Sequence, residues 1–288
     1  MIESWIKGLS VNRFWSILFF LVPILGTTTF VMAAWGLPPF QGAWLPENYS
    51  VAGQTIDHLF YLLNWISAVI FIGTGVVIGW VLWKYDHRRR DQASYFSHNT
   101  KLEIVWTIIP AIILIFIAFY QMNSWAETKM IRPTITQDGQ TVIKPPMVLV
   151  MAKRFGWEFH YAGPDGRIET QDDDYIENEL VLPVNTDIVL QLETSDVIHS
   201  FFVPQLRVKQ DIVPGMKQFI WFRGTDIAEM DIACTELCGW GHYTMKGRLR
   251  LVSQKDYNLW LANRRALQTP AMNPDDPQAS QALDERLP

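Results

Sequence analysis

Cys234-Thr235-Glu236-Leu237-Cys238-Gly239-Trp240-Gly241-His242-Tyr243-Thr244-Met245 places two thiols, an imidazole and a thioether within twelve residues. The four-residue step from Cys234 to Cys238 lets one loop turn both sulfurs towards a common point, and His242 and Met245 continue the wrap. Soft sulfur beside imidazole favours copper, and zinc less so, over hard cations. The chain has no other cysteine. A further imidazole would complete the set, and His199 is the best placed: Val197-Ile198-His199-Ser200-Phe201-Phe202-Val203-Pro204 reads as a strand edge of the same domain.

A mononuclear blue-copper site needs one Cys, two His and a weak axial Met, which leaves one thiolate over. Two thiolates can bridge two coppers, each taking one His and one weak ligand: Met245 for one, a backbone carbonyl of the loop for the other. The ligand count therefore points to a dinuclear centre. Two other readings stand beside it. A disulfide suits an oxidising compartment but explains neither His242 nor Met245, and a zinc site with two Cys and two His has no use for Met245.

Outward from the loop the pattern is of short strands. Leu249 and Leu251 alternate with Arg248 and Arg250 in 247–252, and Ile188, Leu190 and Leu192 do so in 187–193. Residues 148–152, 155–161, 179–182 and 218–222 are further strands between Pro, Gly, Asn and Asp signals, which predicts a compact all-β sandwich or barrel over 147–253. Residues 126–146, polar with three prolines and an Asp138-Gly139 turn signal, read as a linker. Residues 255–267 read as a closing helix, and the tail after Thr269, rich in Pro, Gln, Asp and Ala, as disordered within a C-terminal segment 254–288.

The first half differs in kind. With 49% hydrophobic residues and 13 tryptophans, the chain exceeds the apolar content of a soluble core. The excess lies in three stretches, 14–35, 59–83 and 104–122, each about long enough to cross a hydrocarbon core of roughly 30 Å. No charge falls between Leu59 and Trp83 or between Ile104 and Met122, so 1–125 reads as a membrane anchor. Lys84, His87, Arg88, Arg89, Arg90 and Lys101 crowd the second connection, which the positive-inside rule makes cytoplasmic. Lys7 and Arg13 place the N-terminus inside too, while 36–58 carries Glu47 and Asp57 but no Lys or Arg. Everything after Gln121 then lies outside the cytoplasm. A cleaved signal peptide is the competing reading of the first stretch, with Val31-Met32-Ala33 as a cleavage site; its length and Pro23 favour a retained span.

Across these residues the chain resembles subunit II of the haem–copper cytochrome c oxidases, from the second span to Val252. Residues 234–245 fit the family's copper A loop, Cys-x-Glu-x-Cys-Gly-x-x-His-x-x-Met, at every fixed position, and Ser195-Asp196-Val197-Ile198-His199-Ser200 matches its earlier histidine motif. The resemblance implies an α+β membrane protein of a bacterial-type inner membrane, with transmembrane helices followed by an extracytoplasmic cupredoxin-like Greek-key β-barrel or sandwich. It implies a dinuclear copper A centre held by the side chains of His199, Cys234, Cys238, His242 and Met245 and by the Glu236 backbone carbonyl. The Glu236 side chain would bind a magnesium ion shared with the catalytic subunit, near which Lys209, Asp211, Pro214 and Gly215 match an interface segment. Glu103, in Leu102-Glu103-Ile104-Val105-Trp106, stands at the cytoplasmic mouth of the family's proton path.

The implied role is an electron-uptake subunit of a proton-pumping terminal oxidase, taking electrons from cytochrome c and passing them to haem in the catalytic subunit, where oxygen becomes water. No catalytic acid, base or nucleophile is expected in this chain. The implied partners are the haem-containing subunit I, further oxidase subunits, a cytochrome c and the lipid bilayer, with no nucleic acid. Because the sequence has no Cys-x-x-Cys-His, the donor is expected to be a separate protein. Asp172, Asp173, Asp174, Glu177 and Glu179 form an acidic cluster that suits a basic donor, or a plain solvated loop.

Two departures stand out. The family usually shows two spans. In Lys153-Arg154-Phe155-Gly156-Trp157, Phe155 takes the place of the family's usual electron-accepting tryptophan and Trp157 matches the next one, so the route is expected through Phe155, Trp157 or Tyr161, or the donor docks differently. Trp157 and Tyr161 also suit plain strand packing. A nitrous-oxide or nitric-oxide reductase domain and a membrane-anchored copper carrier are the alternatives. A quinol oxidase subunit lacks the ligands.

Overall fold

The computed structural model describes residues 11–86, 92, 94–163, 165–170 and 173–268. Lys7, the basic run 87–90, Asp172 and the tail 269–288 lie outside the described residues. Three helices, α1 (Val11–Ala34), α2 (Val51–Lys84) and α3 (Thr100–Trp125), are long and apolar enough to cross a membrane. α2 and α3 start before their apolar stretches, where side chains cap them. Gly53 N donates to Ser50 Oγ before α2. Before α3, Leu102 N donates to Asn99 Oδ1 and Asn99 N to Glu103 Oε1, a reciprocal cap of the capping-box kind.

The chain divides into two units, one with Thr55–Asn123 and the residues up to Glu47, the other with Asn48–Gln54 and everything from Ser124. In the first, α1 lies on α2 across Gly75 and Gly79. A methyl at Gly75 would stand 2.3 Å from Pro23 and one at Gly79 would stand 3.1 Å from the Phe20 ring, and Ser16 Oγ donates to Gly79 O at 2.6 Å. Small residues four apart let helix backbones approach this closely within lipid. Trp44, Phe60 and Tyr61 cluster near the start of α2, and Lys84 lies over Trp80 near its end, as aromatic belts at two membrane surfaces do.

The second unit is a β-sandwich. Its strands are β1 (Thr134–Gln137), β2 (Gln140–Ile143), β3 (Val148–Lys153), β4 (Gly156–Tyr161), β5 (Asp174–Glu177), β6 (Glu179–Pro183), β7 (Asp187–Thr194), β8 (His199–Val203), β9 (Val208–Ile212), β10 (Gln218–Arg223), β11 (Ala228–Cys234) and β12 (Lys246–Val252). Two five-stranded sheets form, ordered β10-β7-β3-β4-β5 and β6-β12-β11-β8-β9. Alternation builds the core between them: Val148, Val150 and Ala152, then Trp157, Phe159 and Tyr161, then Leu249 and Leu251 all turn inward. A helix, α4 (Gln254–Gln268), starts at Ser253, whose Oγ accepts from Asp256 N, and sets Trp260 edge-on to Tyr161 at 5.0 Å.

The stretch 126–146, read as a linker, is ordered. Ala126–Met130 prolongs the helical path, and β1 and β2 then pair about Asp138 and Gly139. Both turn residues have positive φ, the hairpin geometry an Asp-Gly pair favours. Besides β1 and β2, three strands escape the sequence reading: β5 and β9 offer few apolar positions, and β11 alternates Met230 and Ile232 with Glu229 and Asp231.

Candidate metal centre

The loop 235–245 joins β11 to β12, neighbours in the second sheet. Its base is closed by Cys234 N donating to Met245 O, and Thr235 N donates to Ser200 O on β8. The register Cys234↔Phe201 brings the start of β8, and so His199, beside the end of β11. Ligand-type atoms converge there. Cys234 Sγ lies 4.0 Å from Cys238 Sγ, 3.9 Å from His199 Nδ1 and 3.3 Å from the Glu236 carbonyl oxygen. Cys238 Sγ lies 3.6 Å from His242 Nδ1 and 3.8 Å from Met245 Sδ. His199, Cys234, Cys238 and Met245 are buried, while His242 is half-buried and Glu236 exposed. Both thiols are free, as a metal site requires and a disulfide excludes.

Asp196 orients the buried imidazole. Its Oδ1 lies 2.8 Å from His199 Nε2, so Nε2 donates outward and Nδ1 faces Cys234. A carboxylate behind a ligating histidine fixes the tautomer and raises ligand basicity. Burial opposes ionisation of Asp196, but donors from His199, Val197, Arg154 and Thr194 outweigh it and hold the carboxyl well below its usual range. Burial likewise opposes a thiolate at Cys234, yet His199 and the surrounding donors bring its pKa down; Cys238, buried beside that thiolate, is pushed up. Two adjacent thiolates repel unless cations lie between them, so the donor set suits bridging soft metal ions, and Met245 gives it a thioether that zinc does not need. Phe155 covers the loop: methyls at Gly241 and Gly239 would stand 2.6 and 3.0 Å from its ring.

The other expected residues fall elsewhere. Trp157 and Tyr161 are core residues, Trp157 edge-on to Phe201 and Tyr161 O–H donating to Val181 O. Asp211 accepts from Ser200 Oγ and Lys209 Nζ, and Pro214 and Gly215 form the turn after β9. The acidic cluster is partly neutralised, with Asp174 clasped by Arg264 and Glu179 by Arg250. Sequence reasoning passed over Asp196 as an orienting group, although an Asp three residues before a ligand-type His is visible in the sequence. It also passed over the outer face of the loop, where Leu237, Trp240 and Tyr243 stand 79%, 84% and 75% exposed, each forgoing roughly 1.5–3 kcal/mol of burial.

Fold and site together define a membrane-anchored cupredoxin-like domain with a soft metal-binding loop. Residues 35–123 match the family model for the transmembrane domain of cytochrome c oxidase subunit II, and residues 165–252 the one for its periplasmic domain. An alternative cytochrome c oxidase subunit 2 of Bradyrhizobium diazoefficiens is 28% identical over 249 residues, covering 77% of this chain and 84% of that one. The cytochrome c oxidase subunit 2 of Cereibacter sphaeroides is 29% identical over 262 residues, covering 80% and 82%. The crystal structure of the periplasmic domain of subunit II from Bradyrhizobium japonicum is similar at 28% identity and a TM-score of 0.36, covering 43% of this chain and 97% of that one. With the two matched segments spanning more than half of it, the chain belongs to the cytochrome c oxidase subunit II family, part of a haem–copper terminal oxidase. Residues 124–164, which hold Phe155 and Trp157, fall in neither segment.

Proposed function

We propose that this chain is the electron-uptake subunit of its oxidase. His199, Cys234, Cys238, His242 and Met245 would hold a dinuclear copper centre by their side chains, and Glu236 by its carbonyl. The observation that carries this is a buried pair of free thiols 4.0 Å apart, with His199 and the Glu236 carbonyl against Cys234 and with His242 and Met245 against Cys238. Copper held there would supply one-electron chemistry. The chain takes electrons from a cytochrome c on the periplasmic side of the inner membrane and passes them to haem in the catalytic subunit.

The protein's own part is rigidity and exclusion of water. β8, β11 and β12 fix the donors to one sheet, Asp196 sets the His199 tautomer, and the Phe155 ring covers the glycine backbone of the loop. Ligands held this way rearrange little when the charge changes. Two further roles rest on the resemblance: the exposed Glu236 side chain as a magnesium ligand at the subunit boundary, and Glu103, at the mouth of α3, in the proton path. The domain limits proposed are an anchor over 1–125 and a copper domain over 147–253.

Electron paramagnetic resonance of the full chain, purified in detergent and loaded with copper, tests the reading. A seven-line hyperfine pattern, from one unpaired electron shared by two equivalent coppers, is expected. A four-line pattern, or one metal ion per chain, overturns it.

A further inference from the structure

The residues expected to accept electrons at the surface are not at the surface. Trp157 and Tyr161 are each 1% exposed and point into the core from β4, where no donor can touch them. Phe155 is only half-buried, but its ring is occupied against Gly239 and Gly241. Between those two glycines stands Trp240. It leaves the loop on the outer side at 84% exposure and meets Phe155 edge-on, with centroids 5.5 Å apart and planes at 64°. It is also two residues from Cys238 and two from His242, so a short covalent path joins its indole to two of the donors. Electron transfer weakens steeply with distance, which favours an aromatic group in that position over any buried ring.

We infer that Trp240 is the residue at which this chain receives electrons, with Phe155 as the positioning residue that steadies its indole. The inference rests on the copper reading of the site. Phe155 and the glycines divide the work: a side chain at 239 or 241 would collide with the ring, so of the three positions 239–241 only 240 can carry a large aromatic group. The chemistry of the donor follows from the loop's own surface. Glu236 is the single Asp, Glu, Lys or Arg between Cys234 and Met245, and Leu237 and Tyr243 flank the indole in sequence with equally exposed apolar groups. The contact is therefore apolar, suited to the exposed hydrophobic edge of a haem in a c-type cytochrome. Tryptophan is the residue type most able to carry such a contact alone.

The test uses the assembled oxidase and its full chain, with Trp240→Leu, Trp240→Phe and Phe155→Leu variants. Stopped-flow reduction is measured with reduced mitochondrial-type cytochrome c and, separately, with reduced hexaammineruthenium, a small donor that needs no docking surface. Trp240→Leu should lower the second-order rate with cytochrome c about tenfold or more, and Trp240→Phe less, while the ruthenium rate and the seven-line spectrum stay as in the parent. Phe155→Leu should give a smaller loss of the same kind. A Trp240→Leu rate within about twofold of the parent overturns the inference, as does a Trp240→Leu chain that loses its spectrum or its place in the oxidase, since Trp240 would then be a prop of the loop or a subunit contact. A parent chain without the seven-line spectrum instead sinks the copper reading, whatever Trp240 does.

Discussion

His199 Nε2 and Asp196 Oδ1 lie 2.8 Å apart, and that contact decides which face of the imidazole meets the sulfurs. With Nε2 donating to Asp196, Nδ1 keeps a free lone pair on the side of Cys234, 3.9 Å away. Asp196→Ala removes the acceptor and frees the ring to turn. Copper affinity should fall about 10–100-fold, read by competition with a copper chelator. Asp196→Asn, which can still accept, should lose less. Equal affinity in both variants and the parent would show that the contact orients nothing.

Gly241 tests the fit of Phe155. A methyl there would stand 2.6 Å from two ring atoms, so the ring or the loop must give. Gly241→Ala should cost about 1–3 kcal/mol, the usual range for overpacking, seen as a lower unfolding midpoint of the full chain. Adding Phe155→Leu should restore part of it. No change in the single variant would mean that the ring is not wedged.

Arg264 grips Asp174 through two contacts of 2.7 and 2.8 Å, and the Asp174 side chain is only 7% exposed. Arg264→Ala would strand that carboxylate. Breaking a fully buried pair costs about 3–5 kcal/mol; because Arg264 reaches water, roughly 2 kcal/mol is expected. Asp174→Ala with Arg264→Ala should recover stability relative to Arg264→Ala alone. A double variant no more stable than that single one would contradict this.

Acid should destabilise the metal-free chain. Asp211 is held below its ordinary value by Ser200 and Lys209, Glu169 chiefly by Lys217, and Asp196 by donors that outweigh its burial. A carboxylate with a depressed folded pKa contributes stability above its unfolded value, about 4, and loses it as pH falls through the folded value. Thermal midpoints should therefore drop as pH falls from about 5 towards 2, with a shallower slope in Asp196→Asn. A midpoint that holds steady through that window would count against these contacts.

Much of the architecture is legible along the chain. The three apolar stretches, the basic second connection and the strands around Leu149, Leu190 and Leu249 are visible in the residues themselves, and the Cys234–Met245 loop carries its own soft donor groups. β11 was equally readable, since Met230 and Ile232 alternate with Glu229 and Asp231. β5 is a short edge strand with Tyr175 exposed, and β9 has apolar residues only at its ends. In such strands the cross-strand partner, not local pattern, makes the structure. The order in 126–146 was hidden for a related reason: a four-residue hairpin arm has too little alternation to register.

Composition and spacing alone determined the set of soft donors and the three membrane-length helices, because donors four and three residues apart and long uncharged apolar runs act locally. The tertiary structure alone decided which side chains face the donors and which face water. His199 reaches Cys234 across 35 residues through the pairing of β8 with β11. The same strand register buries Trp157, and the seating of Phe155 against Gly239 and Gly241 leaves Trp240 outside. Side-chain direction depends on contacts between distant segments, and no local run of residues encodes it.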